Sequence, residues 1–184
     1  MRQDRIKWNE KYSKTGHPNE VAEAVKRFYH LAPGKKALDI AAGNGRNAVF
    51  LSQKGFSVDA VDISEVGLSN FAGKYQNINV ICADLDRFAI APNNYDFIVN
   101  IKFLNRRLFP CIQEGLKPGG VLIFHTLLES DNVEKSQEHC REYLLRKNEL
   151  LHAFLAMRVV YYREGGDTGT GHSGETATLV AVRK

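Results

Sequence analysis

The chain alternates between short apolar runs and segments whose apolar residues recur at helical spacing. Near the N-terminus Trp8 and Tyr12 lie four apart, with Val21, Val25 and Phe28 behind them. This predicts one or two helices joined around Gly16-His17-Pro18. Pro33-Gly34 ends that region, and the run 37–41 reads as a first strand. A glycine-rich turn follows, then a helix carrying Ala48, Val49 and Leu51 that ends near Gly55. A second strand is predicted at 57–62, a helix started by Ser64 and Glu65, a third strand at 79–83 and a fourth at 95–100. Residues 104–116 read as helix, with Pro110 close to its true start. Pro118-Gly119-Gly120 reads as a turn before a fifth strand at 121–128. Strand and helix alternating at this rhythm predict a doubly wound α/β fold, a parallel sheet with helices on both faces.

The C-terminal part changes character. Asn148 is placed to cap a helix through Phe154, and the runs 158–163 and 175–182 predict an antiparallel pair around a loop at 165–174. Residues 129–147 are polar and long enough to cover the open end of the sheet. At 184 residues the chain suits a single domain. Within it, residues 1–32 read as a helical cap, 35–128 as the ligand-binding core and 129–184 as a second-substrate side.

Composition adds mostly exclusions. A net charge of +4 is mild and the basic residues are scattered, including Arg106 and Arg107 on a solvated face, which argues against nucleic acid as partner. No apolar run approaches a membrane span. Cys82, Cys111 and Cys140 show neither paired spacing nor a metal-ligand cluster, so no metal is expected. With no secretory segment they read as reduced thiols of a cytoplasmic protein, a monomer or homodimer. Cys82 follows Val80 and Ile81 in a strand-like run, so burial is its expected state.

The informative chemistry lies at the ends of successive strands. Gly43 and Gly45 allow a tight turn and close approach of a ligand, and the helix after them offers unpaired N–H groups to an anion. Asp62 follows about twenty residues on, where a carboxylate can accept from ribose hydroxyls. The segment 43–48 therefore also satisfies a loose dinucleotide fingerprint, and a nicotinamide-dependent oxidoreductase is the first rival. Asp39 argues against it. A carboxylate beside the glycine turn repels a pyrophosphate but attracts a ligand ammonium. S-adenosylmethionine carries an ammonium, a carboxylate and a ribose, and so uses every one of these groups. After the third strand, Asp84 is placed for an exocyclic amine of adenine, or as a simple helix cap, and Leu85 for its ring. Asn100, Ile101, Lys102 and Phe103 follow the fourth strand and can border the ligand, although Phe103 serves equally as core.

These motifs resemble the class I S-adenosylmethionine-dependent methyltransferases, in particular a small bacterial group similar to tellurite-resistance methyltransferases. The likeness rests on 8–12 (Trp-Asn-Glu-Lys-Tyr), the glycine-rich segment 38–47, Ala60-Val61-Asp62-Ile63-Ser64 and Leu116-Lys117-Pro118-Gly119-Gly120. It implies a seven-stranded Rossmann-like sheet in the order 3-2-1-4-5-7-6, with strand 7 antiparallel. It places Asp39, Gly43 and Gly45 at the methionine end of the donor, Asp62 and Ile63 at ribose and adenine, and Asp84 and Leu85 at adenine. Ala41 stands where the group commonly has glycine, and Asn47 closes the motif.

The resemblance implies the methyl donor but not the acceptor, which stays open among small organic compounds, thiols and metalloid oxyanions. Trp8, Tyr12, His125, Arg107 and Tyr143 are candidates for the acceptor wall. His125 near the end of the fifth strand is the candidate base, if the acceptor must lose a proton. His172 lies in the predicted loop. A non-catalytic nucleotide-binding regulator is the second rival.

Overall fold

A computed structural model describes residues 2–14, 19–129, 143–166 and 175–184. The proposed joint at Gly16-His17-Pro18, Cys140, His172 and most of 129–147 lie outside the described residues.

In chain order the elements are α1 (Arg2–Ser13), α2 (Glu23–Phe28), β1 (Lys36–Ile40), α3 (Arg46–Gln53), β2 (Ser57–Asp62), α4 (Glu65–Ser69), β3 (Ile78–Cys82), β4 (Tyr95–Ile101), α5 (Leu108–Gly115), β5 (Leu116–Leu127), α6 (Glu149–Ala153), β6 (Arg158–Gly166) and β7 (Glu175–Val182). The strands form one sheet in the order β3-β2-β1-β4-β5-β7-β6. β1 to β5 are parallel, while β7 runs antiparallel to both β5 and β6. This is the implied order. No helix among the described residues is long and apolar enough to cross a membrane.

Two-residue periodicity divides the core between the two faces of the sheet. Leu38, Ile98, Leu122 and Phe124 point to one side, where α5 and α6 contribute Ile112 and Leu150. Ala37, Phe97, Val99, Val121 and Ile123 point to the other, against Val25 of α2, Leu51 of α3 and Leu68 of α4. Helices on both faces explain why every residue of β4 is buried, Asp96 and Asn100 included. Helix α1 is different. It is polar nearly all round and docks on α4 by hydrogen bonds, with Asn9 Oδ1 accepting from Ser64 Oγ at 2.7 Å and Arg5 pairing with Glu65.

Several local expectations need correction. Pro118-Gly119-Gly120 is not a separate turn but a bulged start of β5. Between the pairs Tyr95–Leu116 and Phe97–Val121 the register jumps, and Gly119 takes φ 79°. Its N–H donates to Arg183 O at 2.8 Å, so pairing with the C-terminus absorbs the segment into the sheet. The helix expected over 104–116 begins at Leu108, and Pro110 sits in its first turn, where its missing N–H leaves nothing unpaired. Asn148 precedes α6 but its side chain caps nothing. The residue is left-handed (φ 61°), and its N–H donates to Glu164 Oε1 at 2.6 Å. Cys82 is exposed rather than buried: it ends β3, an edge strand in which no residue is fully buried. β6 likewise extends through Gly166, two residues into the predicted loop.

Candidate functional site

The strand ladders align the candidate residues along the carboxyl edge of the sheet. Asp62 pairs with Cys82, Ile40 lies between Val61 and Asn100, and Ile101 pairs with His125, which pairs with Thr178. The strand order reverses between β1 and β4, the place where open α/β sheets bind ligands.

The turn after β1 requires left-handed backbone three times, at Ala41 (φ 55°), Gly43 (φ 57°) and Gly45 (φ 78°). A Cβ on Gly43 would collide with the Tyr12 ring, and one on Gly45 with Phe71. Glycine is thus demanded here by both conformation and space. Asp62 fastens this turn to β2. Its Oδ2 accepts from Gly43 N and its Oδ1 from Ser64 N, each at 2.8 Å. Burial raises its pKa, while these N–H donors pull it back. An ionised carboxylate has about four acceptor sites, so Asp62 keeps acceptor capacity for a ligand hydroxyl.

Asp39 is more unusual. It is 1% exposed, and its Oδ2 is buried without a hydrogen-bond partner. Burial pushes its pKa up to about 7, against the opposing pull of the Arg46 guanidinium and the Ala48 N–H. A buried acceptor left unsatisfied costs about 1–3 kcal/mol, so it marks a place where a cationic ligand group would be stabilised.

Residues after the turn hold the wall of the cleft. Asn44 Nδ2 donates to Asn19 Oδ1 at 3.1 Å, Arg46 Nη1 to Glu20 O at 3.1 Å, and Asn47 Oδ1 accepts from Ala22 N at 3.0 Å. The Asn47 side chain therefore positions the start of α2. At the far end, Asp84 Oδ1 accepts from Asp86 N at 3.0 Å, and Leu85 is buried against the core. Ile63 is half-buried at the start of the connection to α4. Asn100, 1% exposed, donates from Nδ2 to Phe103 O at 2.6 Å and so closes the turn after β4, while Phe103 packs on the core.

The acceptor candidates separate. His125 lines a cleft of about 610 Å³ bounded by α2, the end of β4 and strands β6 and β7. Its Nδ1 lies 2.8 Å from Thr178 Oγ1. Tyr12 lies elsewhere, with its ring over Gly43 and against Gly67, and burial together with the nearby Asp62 holds its phenol above the ordinary range. It belongs with the glycine turn. Trp8 stacks on Tyr12 at 5.8 Å, with Lys11 Nζ 4.4 Å from its ring centroid. Arg107, at the start of α5, and Tyr143 are exposed; neither lines the cleft. The local pattern that made Trp8, Tyr12 and Arg107 acceptor candidates carried no information about which end of the sheet each helix covers. Arg27, Tyr161, Arg163 and Thr178 line the cleft and were missed. Only the β5–β7–β6 register brings the last three beside His125.

This arrangement can be compared with known proteins. The family model of the tellurite resistance protein TehB matches residues 1–177. The chain belongs to the TehB family. A curated relative from Haemophilus influenzae (strain 10810), a probable S-adenosyl-L-methionine-dependent methyltransferase TehB, is 32% identical over 136 residues. That match covers 68% of this chain but 46% of the relative, so the chain spans about half the length of that relative. The crystal structure of TehB from Haemophilus influenzae superposes with a TM-score of 0.74 at 23% identity, covering 98% of this chain and 67% of that one. The [4+2]-cyclase SpnF superposes with a TM-score of 0.70 at 15% identity, covering 88% of this chain and 78% of that one. At such identities the likeness concerns the fold, and the cyclase shows that family fold and reaction are separate questions.

Proposed function

We propose that this chain binds S-adenosylmethionine at the glycine turn and transfers its methyl group to a small-molecule acceptor. The observation that carries the reading is the orphaned, buried Oδ2 of Asp39 beside that turn. A nicotinamide dinucleotide would bring its pyrophosphate toward the buried Asp39 carboxyl, whereas an amino-acid ammonium compensates it. Membership of the TehB family and the methyltransferase names of its relatives support the same choice.

Asp39, Gly43 and Gly45 take the methionine end, with Tyr12 closing over Gly43. Asp62 receives the ribose, Ile63 and Leu85 flank the adenine, and Asp84 accepts from its amine. Bound S-adenosylmethionine supplies a methyl group on a cationic sulfur, a good leaving group. The chain's own contribution is to orient the acceptor and exclude water. In the tautomer whose Nδ1 donates to Thr178, His125 presents the Nε2 lone pair and can take a proton from an acceptor that must lose one. We assign all of 1–184 to one cytoplasmic domain with cap, donor and acceptor parts, working as a monomer or homodimer.

Calorimetry with S-adenosylmethionine, S-adenosylhomocysteine and NAD tests the donor, and a labelled-methyl screen with product masses tests the transfer. Tight NAD binding with no response to S-adenosylhomocysteine would refute the reading. Donor binding without transfer to any acceptor class would favour a regulator.

A further inference from the structure

The 610 Å³ cleft holds a chemistry more particular than "small molecule". Asp39, Gly43, Gly45, Asp62 and Asp84 are all absent from its lining, while Arg46 joins it to the glycine turn. It is therefore a second compartment beside the donor site. Five of its lining residues are cationic (Lys26, Arg27, Arg46, Lys102 and Arg163) against two carboxylates, Glu20 and Glu23. Glu23 is offset by Lys26 at 3.9 Å. The cleft thus concentrates nearly all of the chain's small positive excess of +4.

Two features mark it as built. Lys102 lines the cleft, and its backbone is left-handed at φ 58°. That conformation is uncommon for lysine and is held by Lys102 N donating to His125 O at 2.7 Å. Part of the lining is aromatic. Phe28 and Tyr161 pack at 5.3 Å, and the Arg27 guanidinium lies 4.8 Å and 5.2 Å from their ring centroids. Val21 and Ile101 extend the apolar surface.

Resting on the methyltransferase reading, we infer that this cleft receives the acceptor, and that the acceptor is an organic anion. Its carboxylate or phosphate monoester is held by Lys102, Arg27 and Arg163, and its apolar body lies on Phe28 and Tyr161. A metalloid oxyanion has the size of a few waters, at about 30 Å³ each, and would leave the aromatic wall bare. Pockets of about 300–1,000 Å³ suit ligands with a carbon framework.

The test uses the full chain saturated with S-adenosylhomocysteine, titrated by calorimetry with benzoate, phenylphosphate, uncharged benzamide and tellurite. Benzoate or phenylphosphate is expected to bind at least tenfold more tightly than benzamide and tellurite, with affinity falling as salt rises. The comparison of benzoate with phenylphosphate identifies the acidic group. Lys102→Gln is expected to weaken that binding at least tenfold and leave S-adenosylhomocysteine affinity unchanged. Arg163→Gln, on the exposed edge strand, provides a second variant should Lys102→Gln not fold. Tellurite binding as tightly as the organic anions, or no anion preference across the series, would overturn the inference while leaving the donor assignment standing. Failure of S-adenosylhomocysteine itself to bind would instead remove the methyltransferase reading on which it rests.

Discussion

Replacing Asp39 by asparagine separates the energetic cost of a buried charge from its use. In the free protein burial raises this carboxyl from 3.8 to about 7. At about 1.4 kcal/mol per pKa unit, the displacement is on the order of 4 kcal/mol, an upper bound once relaxation is allowed. The sign follows from linkage. Between pH 3.8 and 7 the folded chain holds a proton that the unfolded chain has lost. Stability from this group is therefore complete below 3.8 and declines as pH rises to 7. The substituted amide carries no charge and still accepts from Ala48 N. Urea unfolding should thus find Asp39→Asn equal to the parent near pH 4 and more stable by about 1–4 kcal/mol at pH 8. Donor binding should move the opposite way. Its ammonium selects the ionised carboxylate, so S-adenosylhomocysteine affinity measured by calorimetry should rise between pH 5.5 and 7.5 in the parent. In Asp39→Asn that rise should vanish and affinity at pH 7.5 should fall at least tenfold. Parallel stability profiles for the two proteins, together with equal donor affinity, would refute this account of Asp39.

Asp62→Ala leaves the N–H groups of Gly43 and Ser64 without their acceptor; chemical denaturation should register a loss of about 2–4 kcal/mol and calorimetry a weaker donor complex. Gly45→Ala forces a Cβ toward Phe71 at φ 78°, so thermal unfolding should fall by the equivalent of about 1–3 kcal/mol, with donor binding lost. Phe154→Ala empties a fully buried site beside Phe109 and Phe124 and should cost about 3–5 kcal/mol in urea, with donor affinity in the folded fraction unchanged. Arg107→Ala, at an exposed position outside the cleft, should change neither donor affinity nor methyl transfer by more than a factor of two in the same assays.

The sequence by itself determined whatever depends on neighbours along the chain. The strand at Ser57–Asp62, the left-handed demands at Gly43 and Gly45, and the cap at Ser64, whose Oγ accepts from Gly67 N, are local devices and were legible. The positions of Asp39, Asp62 and Asp84 were legible for the same reason, because each lies in or just after its own strand. What pairs with what was decided only in three dimensions. Pro118-Gly119-Gly120 has turn chemistry, yet pairing with Arg183 drew it into β5. Cys82 has core-like neighbours, but it stands at the exposed end of an edge strand. Tyr12 lies over Gly43 because contacts between α1 and α4, with Asn9 Oδ1 accepting from Ser64 Oγ and Arg5 pairing with Glu65, set where α1 docks. The cleft gathers residues from α2, β4, β5, β6 and β7, separated by more than a hundred positions. Tyr161 and Arg163 join the α2 residues there only through the antiparallel register at the far side of the sheet, and no local pattern encodes a register between strands so distant in sequence.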